Sequence, residues 1–227
     1  MKNYADIVLA IGLLFLASFS FVSGYFLSTE LNESAPITAP APIELAEAGE
    51  FTEIPIAAVY TDGEGVQKGI ISTLTVELVE GRGRVLVNID DIYAGTDTQE
   101  SARIAVGAVE RYLGIDFSEV DIIFTIESDA QTISGPSAGS AMAVALVLAT
   151  RGEEINCDVA ITGTISADGS LGMVDGVLAK AIAARESGYT EFLVPTGPFD
   201  EAVLEAQANI DIVEVANLAE ALEHFCL

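Results

Sequence analysis

The period of the hydrophobic pattern changes repeatedly along the chain after residue 50. Ile54–Thr61, Gly69–Leu78 and Arg84–Ile89 read as strands, and Glu80-Gly81-Arg82-Gly83 between the last two predicts a hairpin turn. Thr98–Leu113 reads as a helix. Ile104, Ala108, Tyr112 and Leu113 lie on one stripe and Gly114 supplies the stop. Asp121–Ile126 is a predicted strand and Ser128–Pro136 a loop. Ser137–Thr150 is a predicted helix that is apolar almost all round, so it belongs in a core. Then come a strand over Cys157–Thr162, a turn at Ala167-Asp168-Gly169-Ser170 and a helix over Gly176–Glu186. A strand at Glu191–Val194, a helix at Phe199–Ala206, a strand at Ile210–Val215 and a helix at Leu218–Phe225 complete the pattern. Strands and helices mixed in this order predict an α/β or α+β fold with helices flanking a sheet.

The first 50 residues follow a different rule. Residues 7–29 carry no charge, and as a helix they would extend roughly 34 Å, enough to cross a bilayer core. Lys2 precedes the stretch and Glu30, Glu33 and Glu44 follow it. The positive-inside rule then places the N-terminus in the cytoplasm and the remainder outside. A cleaved signal peptide ending near Val22-Ser23-Gly24 is the competing reading; the length of the apolar run favours a retained anchor. Residues 30–50, with Pro36, Pro40 and Pro42, suit an extended spacer. The expected division is therefore an anchor over 1–29, a spacer over 30–50 and one folded domain over 51–227. Residues 130–150 are also uncharged. Gly135, Pro136 and Gly139 at their head predict a core helix entered through a tight loop, not a second span.

Composition removes several function classes. Nine basic residues stand against 35 acidic ones, a net charge of −26, which opposes nucleic acids and anionic membrane surfaces. Gly-x-x-x-x-Gly-Lys-Ser/Thr does not occur; the nearest look-alike, Gly163–Ser170, lacks the lysine. Cys157 and Cys226 have no zinc-like spacing, and no His-Glu-x-x-His is present, so neither a metal nor another cofactor is expected. Whether the two cysteines pair depends on the compartment and on the distance between them. The single histidine, His224, falls near the polar side of the last predicted helix, a poor place for a triad member.

What remains is a serine and a lysine. Ser137 sits in Gly135-Pro136-Ser137-Ala138-Gly139, a turn at the mouth of the apolar helix. Amides at a helix start are unpaired and stabilise negative charge in front of them. A serine hydroxyl needs a base, and with histidine unsuitable a lysine is the available one. Lysine acts as a base only when neutral, so its pKa must fall from about 10.4 towards roughly 7–8 by burial. Lys2, Lys68 and Lys180 are the full set of lysines. Lys180 is flanked by Val177, Leu178, Ala179, Ala181, Ile182, Ala183 and Ala184, with no acid three or four residues away. The plain alternatives are a serine N-cap at Ser137 and a snorkelling surface lysine at Lys180.

These motifs resemble the proteolytic domain of the Lon proteases, peptidases built on a Ser-Lys dyad. The Gly-Pro-Ser-Ala-Gly motif is present and Lys180 falls at the family's spacing after the serine. Ala160-Ile161-Thr162-Gly163-Thr164-Ile165 resembles the family's Thr-Gly-Glu strand, and Gly169–Lys180 the segment leading into its lysine helix. Glu100-Ser101-Ala102, Leu113-Gly114-Ile115-Asp116 and Glu191-Phe192-Leu193-Val194-Pro195 resemble further stretches, so the likeness covers roughly residues 55–225. It implies a Lon-type proteolytic fold with Ser137 as nucleophile, Lys180 as general base and Thr162 orienting the lysine amine. For Thr162 the plain alternative is a β-branched strand residue.

The chain departs from the family pattern where an aspartate often precedes the serine (Ser134 here), at the Glu of Thr-Gly-Glu (Thr164), and at the paired glycines before the lysine helix (Asp175-Gly176). The family's ATPase motif is missing as well. The expectation is a membrane-anchored, extracytoplasmic, ATP-independent Lon-like endopeptidase acting on unfolded or flexible polypeptides, with a six-membered ring implied by the resemblance. A catalytically inactive Lon-fold scaffold tethered to the membrane is the second reading. A signal-peptidase-like enzyme, the third, disagrees with the helical setting of Lys180.

Overall fold

The computed structural model describes residues 51–89, 93–94, 96–129, 132–133, 135–153, 155, 158–198 and 210–225. The predicted anchor, the spacer, the helix at 199–206, Ser134 and both cysteines lie outside them. Among the described residues no helix is long and apolar enough to cross a membrane.

A seven-stranded mixed sheet organises the domain, in the order β11-β10-β7-β1-β2-β5-β3. Its strands are β1 (Phe51–Thr61), β2 (Gln67–Glu80), β3 (Val85–Ile89), β5 (Val120–Glu127), β7 (Val159–Ile161), β10 (Glu191–Pro195) and β11 (Asp211–Val215). Strands β1, β7, β10 and β11 run parallel to one another, β2 is antiparallel to both neighbours, and β3 is parallel to β5. Two short pairs stand apart: β4 (Tyr93–Ala94) with β6 (Thr132–Ile133), and β8 (Thr164–Ile165) with β9 (Leu171–Gly172).

The alternation of side chains along each strand sorts the core into two layers. Ile54, Ile56, Leu74, Val76, Phe124, Ile161 and Leu193 face α1 (Thr96–Leu113), α2 (Gly139–Arg151) and α4 (Leu218–Leu222). Their neighbours Ala57, Ala160, Phe192 and Val194 face the opposite way, onto Val177, Ala181 and Ala184 of α3 (Val177–Glu186). Helix α2 is buried from Gly139 to Leu148 without interruption, as its all-round apolar sequence predicts. The serine and lysine helices thus lie on opposite faces of one sheet, so a site that uses both must form where the sheet ends.

One topological expectation is overturned. Residues 80–83 do not close a hairpin: β2 and β3 are not neighbours, because β5 lies between them and pairs with both. The buried carboxylate of Asp121, near the start of β5, explains the detour. It accepts from the backbone N–H of Arg82 (2.8 Å) and of Arg84 (2.9 Å) and from Arg84 Nε (2.8 Å). Gly81 N–H donates to the Glu119 carbonyl at 2.9 Å. The turn chemistry is real, but its hydrogen bonds go to the incoming third strand.

Candidate active site

Three elements converge beyond the C-terminal end of β7. The first is the serine turn. Pro136–Ala138 form a single 3-10 turn that runs into α2, with Gly135 before it at φ 104°. A side chain at that φ would be strained, so the glycine is what allows the chain to swing into the turn. Ser137 is half-buried. It is not the N-cap of α2: that place falls to Ala138, and no side chain caps the helix.

The second element is the stretch after β7. Thr162 is fully buried, and its N–H donates to the Leu193 carbonyl (3.0 Å), which extends the β7–β10 pairing by one residue. Its neighbour Gly163 donates N–H to the Ser137 carbonyl at 3.0 Å and accepts from Ser140 N–H at 3.0 Å. This reciprocal exchange fastens the head of α2 to the end of β7. A third tie comes from α1, where the buried Ser101 Oγ donates to the Pro136 carbonyl at 3.5 Å.

The third element is α3. Val177, Lys180, Ala181 and Ala184 share one stripe, and that stripe faces the sheet. Lys180 is 1% exposed, so it is a core lysine and not a snorkelling one. Its Nζ donates to Thr162 Oγ1 at 3.1 Å. Thr162 Oγ1 in turn donates to the Ser137 carbonyl at 3.5 Å. A hydroxyl has one proton and two lone pairs, so these two bonds are compatible. One threonine therefore connects the lysine amine to the main chain of the serine.

Burial governs the amine's chemistry. Desolvation lowers the Lys180 pKa from 10.5 to about 8, against a smaller opposing pull from the Asp175 carboxylate on the turn into α3. No carboxylate bonds to Nζ among the described residues; the group it donates to is a neutral hydroxyl. A substantial neutral fraction near physiological pH follows, as a general base requires.

The structure brings Ser137, Thr162 and Lys180, the three residues singled out in the sequence, into one neighbourhood. His224 is elsewhere: its Nδ1 lies 2.5 Å from Glu191 Oε1, at the N-terminal end of β10. Among the described residues no group of His, Cys, Asp or Glu side chains is arranged to hold a metal ion. Sequence reasoning missed Gly163, Ser140 and the role of Ser101. Gly163 acts through both main-chain groups and Ser140 through its N–H, so no side-chain pattern reports them. Ser101 stands in a stretch that matched the family but carries no signal of its own.

Comparison with known proteins agrees with this architecture. Residues 61–226 match the model of the Lon protease (S16) C-terminal proteolytic domain. An archaeal Lon protease of Archaeoglobus fulgidus is 28% identical over 186 residues, covering 79% of this chain and 29% of the relative. One of Methanothermobacter thermautotrophicus is 26% identical, covering 79% and 28%. Lon protease 2 of Syntrophobacter fumaroxidans is 31% identical over 161 residues, covering 65% and 20%. The chain thus spans less than a third of the length of these relatives. It belongs to the Lon protease proteolytic-domain family of serine peptidases.

Proposed function

We propose that this chain is a Lon-like serine endopeptidase in which Ser137 is the nucleophile, Lys180 the general base and Thr162 the residue that orients the lysine. The observation that carries the reading is the Thr162 hydroxyl, which accepts from Lys180 Nζ and donates to the Ser137 carbonyl. Neutral Lys180 takes the proton of Ser137 Oγ as that oxygen bonds to the carbonyl carbon of a peptide. The oxyanion that develops is favoured by the dipole at the N-terminus of α2; the Gly139 and Ser140 amides are themselves engaged, donating to the Pro136 and Gly163 carbonyls. The lysine ammonium then protonates the departing amine, the peptide C–N bond breaks and an acyl-serine remains. A water then attacks the ester and gives a proton to Lys180; the bond from the acyl carbon to Ser137 Oγ breaks, the ammonium returns that proton to Oγ, and the carboxylic acid leaves.

Substrates are unfolded or flexible polypeptides, because a nucleophile in a turn between core elements meets an extended backbone more readily than a folded one. Nothing in the dyad's chemistry consumes nucleotide, so cleavage of such substrates is ATP-independent. The uncharged stretch at 7–29 and the prolines after it support a membrane anchor with an extracytoplasmic domain. A homo-hexameric ring is the assembly that family membership suggests.

The test is cleavage of an unstructured polypeptide by the full chain and by Ser137→Ala and Lys180→Ala. Each variant is expected to lose at least about 1000-fold in kcat. Undiminished cleavage by either would move the activity to a different site, and no cleavage by the unsubstituted chain would favour the inactive scaffold. Adding ATP should leave the wild-type rate unchanged, and carbonate washing should leave the protein in the membrane fraction.

A further inference from the structure

The seat of the lysine helix is unusual. Val59 of β1 and Gly69 of β2 are opposite one another across the hairpin, and α3 lies directly on this pair. A Cβ on Gly69 would stand 2.0 Å from the Ala179 carbonyl oxygen, 2.6 Å from its carbon and 2.9 Å from Ala183 Cβ. A Cβ on Gly176, the N-cap of α3, would stand 2.7 Å from Val59 Cγ1. The two nearest obstructing atoms at Gly69 are helix backbone and the third is an alanine Cβ, none of which a rotamer change can move. Helix α3 is therefore in contact with the strand's own backbone, one residue before Lys180.

We propose that Gly69 is a positioning residue for Lys180: its missing side chain sets how deeply α3 sits on the sheet, and so holds the amine at Thr162 in a dry environment. The inference rests on the reading of Lys180 as the base, but its geometry does not. Gly69 touches neither substrate nor reacting atoms and acts through the helix. A side chain there lifts the helix away from β1 and β2. The lift lengthens the Lys180–Thr162 hydrogen bond and admits water to the amine. The charged group that acts on Lys180 from its surroundings is Asp175. That residue enters α3 through Gly176, so it moves with the helix and continues to favour the ammonium form. Both changes push the amine towards the ordinary lysine range.

The experiment is an NMR titration of the full chain carrying 13Cε-labelled lysine. There are three lysines, Lys2, Lys68 and Lys180, and the Lys180 signal is assigned by its loss in Lys180→Met. The wild-type midpoint is expected near 8. In Gly69→Ala it should rise by roughly one pH unit or more, a tenfold change in proton affinity, with a fall in kcat at pH 7 and little change in KM. Gly107→Ala on α1, where an added Cβ meets nothing within 4 Å, should titrate as wild type. If Gly69→Ala does not fold, Ala183→Ser adds an atom at the same contact and should raise the midpoint in the same direction. An unchanged midpoint in whichever of the two folds overturns the proposal. The titration needs no peptidase activity. Should Ser137→Ala still cleave, the dyad fails while Gly69 is still judged; should the dyad variants be dead and Gly69→Ala titrate as wild type, this inference fails alone.

Discussion

Lys180 Nζ and Thr162 Oγ1 lie 3.1 Å apart, and both residues are almost wholly buried. They come from different elements: the lysine from a helix packed on one face of the sheet, the threonine from the residue that follows β7. A buried amine with a neutral partner is costly to protonate. That cost keeps a fraction of the amine neutral near neutral pH, the form a general base requires.

The pH–rate profile should reflect this. The kcat/KM for an unstructured substrate is expected to rise with pH along a limb centred near 8, the value to which burial lowers Lys180. A limb near 10 would mean that the amine is solvated in the working enzyme.

Thr162 can be tested through its hydroxyl alone. Thr162→Val keeps the shape but removes the acceptor for Lys180 and the donor to the Ser137 carbonyl. It should lower kcat by about 10–100-fold with KM little changed, since each lost bond to a charged or reacting group amounts to about 1–3 kcal/mol. Thr162→Ser should retain most activity. Equal activity in the valine variant would reduce Thr162 to a strand residue.

Stability should vary inversely with function at Lys180. Its folded pKa is depressed, so between about 8 and 10.5 the unfolded chain binds more protons than the folded one. Stability therefore rises with pH through that window and is lowest below it. Lys180→Met removes the amine and keeps the volume. It should be inactive yet more stable than wild type at pH 7, by something on the order of 3 kcal/mol at most. The gain should shrink as pH approaches 10.5. Thermal unfolding of both proteins from pH 7 to 10.5 measures it.

The turn between β2 and β3 gives a pH dependence of the same sign in an acidic window, but here the charged group stabilises the fold. Hydrogen bonds from Arg84, and then from the Arg82 and Arg84 amides, hold the Asp121 carboxyl well below the usual carboxylate range. A depressed carboxylate contributes stability above its unfolded value near 3.8 and loses it as the pH falls further. Asp121→Asn should lower the melting temperature at pH 7, and the gap to wild type should narrow below pH 4. A constant gap would locate the effect in packing instead.

Much of this was legible in the sequence, for physical reasons that differ by element. Helix α2 announced its burial because no face of it is polar. Strand β5 and helix α1 keep their predicted extents within two residues at each end. The stripe predicted for α1 does not hold: the buried residues include Ser101, Ala102, Ala105 and Val109, and Tyr112 is exposed, because small residues let that face pack closely while carrying little hydrophobic signal. The order β2-β5-β3 was not legible: turn residues report a reversal, not which strand fills the gap, and Asp121 lies far along the chain from the turn it satisfies. Ser137 and Lys180 stand out by motif and spacing, and Thr162 only through the resemblance to the Lon family. The features that seat them, Gly163, the Ser140 amide and Gly69, act through backbone or through the lack of a side chain, which leaves no hydrophobic pattern to read.

The central claim is that Ser137 is activated by Lys180. Its most direct test is covalent: exposure of the full chain to a fluorophosphonate at pH 8, followed by peptide mass mapping. One adduct on Ser137 in the wild type, and its near-complete loss in Lys180→Met, is the predicted result. No adduct on Ser137, or equal labelling in Lys180→Met, would contradict it.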